Sequence, residues 1–312
     1  MSDVLADGKR WRVLVGDASI TLSRLPLQWA RAMLADPPGQ LGMSREQWDA
    51  PTSDWVETHA CIFSAAFRAC VPGAPGLVWA PPRTSDFTMS ALRAAGWQIE
   101  DKVYVINASR RAPSKRHLAP SVDEWIKVRA PGAPIGPEYD RPWPRNVALA
   151  HDPSCADACA AACAVEHLVR HAGTRKSGTR RAGARKGLGY MGGARGDGGP
   201  ALAASAGTAD RFFPVFRYQA PARGALRDVF LPEGVENENP AAKPPELGAW
   251  LSGLISNPGD VLLDLYGGWG GLAVGALLAG QRVVSAEQDE RSAMMIEARL
   301  RAAENCPLPM AH

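Results

Sequence analysis

The run Val261-Leu262-Leu263 leads into Asp264-Leu265-Tyr266-Gly267-Gly268-Trp269-Gly270, and few segments leave a chain less choice of fold. An apolar strand over 261–266 breaks into a glycine turn. A helix over 271–278 follows, stopped at Gly280, then a second strand over 282–286 that ends at Glu287. This is a βαβ unit. Parallel strands joined this way are buried on both faces, so helices must cover both sides of the sheet. The glycines let backbone pass close to a ligand at the helix N-terminus. An acid about 20 residues further on, here Glu287, is placed to reach ribose hydroxyls. The turn lacks the G-x-G-x-x-G spacing of dinucleotide sites. Asp264 ends the strand instead, where a carboxylate suits a cationic ligand better than a pyrophosphate.

The rest of the chain supports a layered α/β fold with a largely parallel sheet. Strands are expected over 11–15, 33–36, 76–79 and 97–106, with a helical turn at 21–25. Asp54 and Glu57 have capping-box spacing for a helix reaching about Cys70, with Val56, Phe63 and Phe67 on one face. A second helix runs from Ser85 to Gly96, and two more cover 246–255 and 289–300. His59 and Cys61 fall on the first helix and read as packing. From about Arg110 to Asp210 periodicity collapses into Gly, Pro, Ala and Arg, and order returns at Arg211-Phe212-Phe213. The chain divides accordingly into 1–109, an insert at 110–210, and 211–312.

At 312 residues and 46% hydrophobic composition, the chain can bury a sizeable core. No apolar stretch approaches membrane-span length, and the first residues lack a basic-then-apolar signal layout, so a cytoplasmic location without membrane contact is expected. The six cysteines are then thiols or ligands, not a disulfide framework. Net charge is only +3, but Arg175, Lys176, Arg180, Arg181, Arg185 and Lys186 cluster with few acids among them. Alone, such a run reads as a solvated loop. It also suits a polyanion.

Two motifs together carry a resemblance. Asp264-Leu265-Tyr266-Gly267-Gly268-Trp269-Gly270 resembles the D-P-F-x-G-x-G motif that binds S-adenosylmethionine in amino-directed DNA methyltransferases. Asp36-Pro37-Pro38-Gly39, at the end of Met33-Leu34-Ala35, resembles their catalytic D-P-P-Y motif. Asn237-Glu238-Asn239-Pro240-Ala241-Ala242-Lys243-Pro244 looks like their N-x-H-P-T-x-K-P motif, and Leu14-Val15-Gly16-Asp17 is similar to their opening Gly-Asp turn. Arg141-Pro142-Trp143-Pro144-Arg145-Asn146-Val147 and Arg211-Phe212-Phe213 are similar to segments flanking the recognition region of phage-type members. The order (catalytic motif, recognition region, cofactor motifs) matches the permuted β group of phage and orphan enzymes.

The resemblance implies a doubly wound, Rossmann-like methyltransferase sheet with an irregular target-recognition insert. It implies S-adenosylmethionine as methyl donor and double-stranded DNA as partner, with no nuclease in this chain. Asp17, Lys243, Asp264, Tyr266, Gly268, Gly270 and Glu287 fall on its cofactor side; Asp36, Pro37, Pro38 and Gly39 fall on its catalytic side. In that chemistry the Asp36 carboxylate and the Pro37 carbonyl accept the N–H bonds of an exocyclic amine, and positioning supplies much of the rate. Aspartate in the motif favours adenine N6 over the alternative, cytosine N4. A C5-cytosine enzyme would need a cysteine nucleophile, usually after proline, and no Pro-Cys pair occurs.

Two positions depart from the family: Gly39 stands where it has an aromatic, and Asn239 where it has histidine. The aromatic stacks on a base flipped out of the duplex. Trp48 or another aromatic substitutes for it, or the target is single-stranded or modified, or the protein is a weak or inactive relative that keeps the cofactor pocket.

His151, Cys155, Cys159 and Cys163 recur every fourth residue, continued by His167 and His171. Thiolate and imidazole are zinc ligands. One straight helix cannot gather them, since positions eight apart lie about 12 Å apart. Pro153 permits a looped arrangement and a structural zinc on the first four. Otherwise the cysteines are small buried residues on a helix face.

Overall fold

The computed structural model describes residues 4–5, 8–42, 49–106, 122–137, 146–152, 155, 158–160, 163–179, 203–216, 229–235, 238–239 and 241–304. Its strands are β1 (Trp11–Val15), β2 (Ala32–Ala35), β3 (Pro75–Ala80), β4 (Gln98–Ile106), β5 (Val122–Arg129), β6 (Val147–Ala150), β7 (Thr174–Ser177), β8 (Ser205–Thr208), β9 (Val215–Phe216), β10 (Val261–Leu265) and β11 (Arg282–Glu287). Its helices are α1 (Ala18–Ser23), α2 (Trp55–Ala69), α3 (Ser85–Ala94), α4 (Ala164–Ala172), α5 (Pro245–Ile255), α6 (Gly271–Leu278) and α7 (Glu290–Glu304).

Nine strands form one sheet in the order β1-β11-β10-β2-β3-β5-β4-β6-β9. Every pairing is parallel except the two that β5 makes with β3 and β4. The central strands β2 and β10 are buried along their whole length, as short continuous apolar runs require in a covered parallel sheet. Alternation sorts their side chains. Met33, Ala35, Val78, Leu263, Leu265 and Val284 pack with α1, α2 and α3 in one apolar cluster. Ala32, Leu34, Leu77, Leu262 and Val283 pack with α5, α6 and α7 in the other. The result is a three-layer, doubly wound α/β fold, as expected.

This winding fixes where a ligand can enter. From β2 the chain crosses by α2 to β3, moving one way along the sheet. From β10 it crosses by α6 to β11, on the opposite face and in the opposite direction. Between β10 and β2 the crossovers part, and a crevice opens beyond the strands' carboxyl ends. Asp36 and Tyr266 follow those two strands directly, because Leu265 pairs with Ala35.

Several expectations are corrected. The 110–210 span is not wholly outside the sheet: β5 and β6 belong to it, and Trp125 on β5 is fully buried. Asp54 precedes α2 but makes no side-chain cap bond. The first helix spans Ala18–Ser23 rather than 21–25, because the Asp17 carboxylate caps it through the amides of Ser19 and Ile20. No helix among the described residues is long and apolar enough to cross a membrane.

Candidate active site

At the carboxyl end of β2, Asp36 meets Lys243. The lysine Nζ lies 2.9 Å from both Asp36 carboxylate oxygens and 3.4 Å from the Ala241 carbonyl. The expectation had put Lys243 on the cofactor side; its ammonium sits on the catalytic candidate. It also lies over the Trp79 ring, 4.2 Å from the centroid. The half-buried Trp79 indole donates from Nε1 to Asp123 Oδ1 at 3.0 Å. Burial raises the Asp36 pKa, Lys243 pulls it down, and the nearby Asp123 charge pushes it up.

Gly39 is flanked by that same tryptophan. A Cβ at position 39 would stand 3.1 Å from one Trp79 ring carbon and 3.2 Å from Pro81. The Thr84 hydroxyl holds the Gly39 carbonyl at 2.8 Å. Trp79 is therefore the aromatic next to the motif that lacks one. Sequence reasoning passed over it as a strand residue, although Trp79-Ala80-Pro81-Pro82 marked another strand that stops at the same edge. Trp48 lies outside the described residues.

The glycine loop crosses the end of β10. Tyr266, Gly268 and Gly270 all have positive φ, at 66°, 54° and 78°. A side chain on Gly267 would collide with the Ser285 hydroxyl, and one on Gly271 with the Lys243 carbonyl. The Gly268 amide donates to Glu287 Oε2 at 2.7 Å, and the Asp289 amide to Oε1 at 2.9 Å. Glu287 is thus bonded to the loop it was expected to complement, and burial raises its pKa despite those amides. Arg299, fully buried, braces the loop from behind by donating to the carbonyls of Trp269 at 2.6 Å and Val229 at 3.1 Å. Nothing in its spacing on α7 set it apart from a surface arginine.

Asp264 is fully buried. Its Oδ2 accepts from the Ser285 hydroxyl at 2.7 Å, while Oδ1 has no partner among the described residues. Burial pushes its pKa up to about 7, against the Ser285 bond. The Tyr266 ring stacks on His59 with centroids 5.6 Å apart, and His59 stacks on Trp55 at 3.8 Å. His59 was read as packing, and burial does lower its pKa and favour the neutral ring, but it also seats Tyr266. Asn239, the second departure, accepts the Ala241 amide at 2.8 Å and lies beside Gly268, linking the lysine segment to the loop. Asp17 stands apart as the cap of α1, with its pKa lowered chiefly by the Ser19 hydroxyl.

Farther along the same edge, His151 directly follows β6. Candidate ligand atoms of His151, Cys155, Cys159 and Cys163 all lie within 4.8 Å of one another. Arg175 and Lys176 are exposed on β7, which pairs with β8 in a separate two-stranded sheet. Arg180, Arg181, Arg185 and Lys186 lie outside the described residues, as does Asn237. A cavity of about 360 Å³ between α1 and α2, lined in part by Leu22, Leu27 and Ala65, shares no residue with the Asp36 cluster.

No protein-family model matches the chain, and no curated protein sequence does. Solved structures do. A candidate DNA modification methylase from Thermus thermophilus, complexed with S-adenosyl-L-methionine, superposes with a TM-score of 0.54 at 15% identity, covering 94% of this chain and 96% of that one. PvuII DNA methyltransferase, cytosine-N4-specific, gives 0.55 at 12% identity over 93% and 86%. The M1.HpyAVI–SAM complex gives 0.51 at 11% identity over 93% and 98%. What this chain shares with them across nearly its whole length is the fold, a mixed α/β arrangement of helices about a central sheet.

Proposed function

We propose that the chain is a DNA methyltransferase that moves a methyl group from S-adenosylmethionine to an exocyclic base amine, with adenine N6 the target. The observation that carries this reading is the meeting, at the sheet's reversal point, of Asp36-Pro37-Pro38 with the Asp264 glycine loop. They come from distant parts of the chain and are brought side by side by the pairing of β2 with β10. Structural neighbours crystallised with S-adenosylmethionine support the reading. One neighbour is cytosine-N4-specific, so cytosine N4 is the alternative that the product analysis below decides.

The residues present fit the donor. Asp264 Oδ1 is a buried carboxylate oxygen without a partner among the described residues, suited to an ammonium group. The turn takes positive φ at Gly268 and Gly270, where a Cβ would crowd Asn239 and Ile296. Each Glu287 oxygen, already bonded to one amide, keeps acceptor capacity for a ribose hydroxyl. The bound donor supplies an electrophilic methyl.

The chain's own residues handle the amine. Asp36 and the Pro37 carbonyl take its two N–H bonds as the nitrogen becomes tetrahedral, and the second proline limits how that carbonyl can turn. Lys243 keeps Asp36 ionised inside a desolvated site. Trp79 offers the target base the flat surface that Gly39 lacks. The part of 110–210 outside the sheet, with the basic run, follows the DNA backbone.

The test is methyl transfer from labelled S-adenosylmethionine to duplex DNA, followed by nucleoside analysis. N6-methyladenine from the native protein and none from Asp36→Ala is the expected result. N4-methylcytosine would reassign the base. No transfer to any nucleic acid, with the donor still bound, would favour a second reading: a cofactor-binding relative in which Lys243 permanently occupies both Asp36 oxygens.

A further inference from the structure

The first four members of the cysteine–histidine run do not share a helix face: His151, Cys155, Cys159 and Cys163 lie between β6 and α4, which begins at Ala164, and only His167 and His171 fall on α4. The four side chains gather at one point. His151 Nδ1 lies 3.4 Å from Cys159 Sγ and 3.5 Å from Cys163 Sγ. Zinc bonds of about 2.3 Å to sulfur and 2.05 Å to nitrogen at tetrahedral angles put sulfur about 3.6 Å from nitrogen and about 3.8 Å from sulfur. The two nitrogen–sulfur spacings match a tetrahedral set, and all four ligand atoms lie within 4.8 Å of one another, close enough to surround one ion.

The surroundings suit thiolates. The Ala160 amide donates to Cys155 Sγ at 3.2 Å. Backbone amides of Asp152, Val165 and Glu166 hydrogen-bond the Cys163 sulfur, and Cys163 also stands at the positive end of α4. Such outer bonds orient and stabilise metal-bound sulfur. The donor set is soft and nitrogenous, with no carboxylate in it, which excludes calcium and magnesium and selects zinc among common ions.

We propose that His151, Cys155, Cys159 and Cys163 hold a structural zinc ion that fastens α4 and the β7–β8 pair to the carboxyl edge of the main sheet. At this junction Leu149, Cys163 and Val165 are buried, with Leu168, Val169, Phe213 and Val215 packed against them. A closed four-ligand site would reinforce that apolar contact. The ion then also sets the position of Arg175 and Lys176, which lie just beyond α4. Only this last consequence rests on the proposed function.

The test uses the full chain, grown with zinc and desalted without chelator. One zinc per chain is expected, and cobalt in its place should give the thiolate charge-transfer and visible bands of tetrahedral coordination. Cys155→Ser and Cys159→Ser should each lose most of the metal, while Cys61→Ser keeps it. Circular dichroism and S-adenosylmethionine binding check that the variants stay folded. Zinc far below one equivalent in folded, reduced protein would overturn the site, as would full retention in both ligand variants. Loss of metal should expose α4 and β7 to protease while leaving donor binding intact. That separates failure of the zinc site from failure of the methyltransferase reading.

Discussion

At the scale of single residues, the site turns on a conflict between burial and charge at Asp36. In the proposed reaction the carboxylate must be ionised to accept N–H bonds, yet burial raises its pKa and Lys243 opposes that rise. Transfer should therefore increase with pH through the raised Asp36 pKa. Removing the ammonium in Lys243→Met should move that limb to higher pH. The variant should be much slower than the native protein at neutral pH and closer to it in alkali; an unmoved limb in the kcat profile would contradict this role. Trp79→Ala should lower kcat/KM by about ten- to a hundred-fold if its ring carries a base stack of about 1–3 kcal/mol. Trp79→Phe should restore much of it. Substituting an aromatic at Gly39 would force it against Trp79, which is why the two positions are alternatives rather than partners. The acids of the site were legible in the sequence because a carboxylate at an apolar strand end is conspicuous. Trp79 and Arg299 were not, since their roles depend on which strand and which loop lie beside them.

Among the elements, the contact between α5 and α6 decides where Lys243 sits. Pro245 opens α5, a position where proline costs the helix nothing. Gly248, Gly271 and Gly275 then let the two helices touch through backbone. An alanine inside a helix normally gains about 0.5–1 kcal/mol over glycine. At Gly275 its Cβ would run into the Pro245 carbonyl and lie 2.5 Å from the Ala249 amide. Overpacking of this kind costs about 1–3 kcal/mol, so Gly275→Ala should lower Tm by several degrees despite its better propensity. It should also weaken transfer, because the displaced segment carries Lys243; an unchanged melting temperature would refute the tight crossing. The βαβ elements were legible because their apolar periods are strong. β5 was not: Val122–Arg129 carries four charged residues, and it becomes a sheet strand only by pairing on both sides, with Trp125 buried and its lysine and arginine paired to Glu100.

Over the whole molecule, charge is nearly balanced, so any attraction to a polyanion must be local. Arg175 and Lys176, exposed on β7, offer such a patch. If Arg175 and Lys176 contact phosphates, their double alanine variant should weaken DNA binding alike for all sequences. It should also flatten the dependence of log affinity on log salt by about 2. An unchanged slope would place the DNA elsewhere. The strands and helices at the two ends of the chain were readable from their apolar periods, but the full membership of the sheet was not. Sheet membership is a property of long-range pairing, and the 110–210 span supplies two strands from within an otherwise aperiodic stretch.

The pairing of β2 with β10, and of β1 with β11, also orders events at the ribosome. The N-terminal strands are made first, yet their partners lie in the last part of the chain. Until residues 261–287 emerge, β2 shows an open apolar edge and β1 has no neighbour at all. Such edges invite pairing with other chains, and contacts so distant in sequence form slowly. The N-terminal strands thus wait as an unfinished sheet until residues 261–287 have been made. Asp36 faces no glycine loop before then, so a chain cut short ahead of residue 264 carries only half of the candidate site.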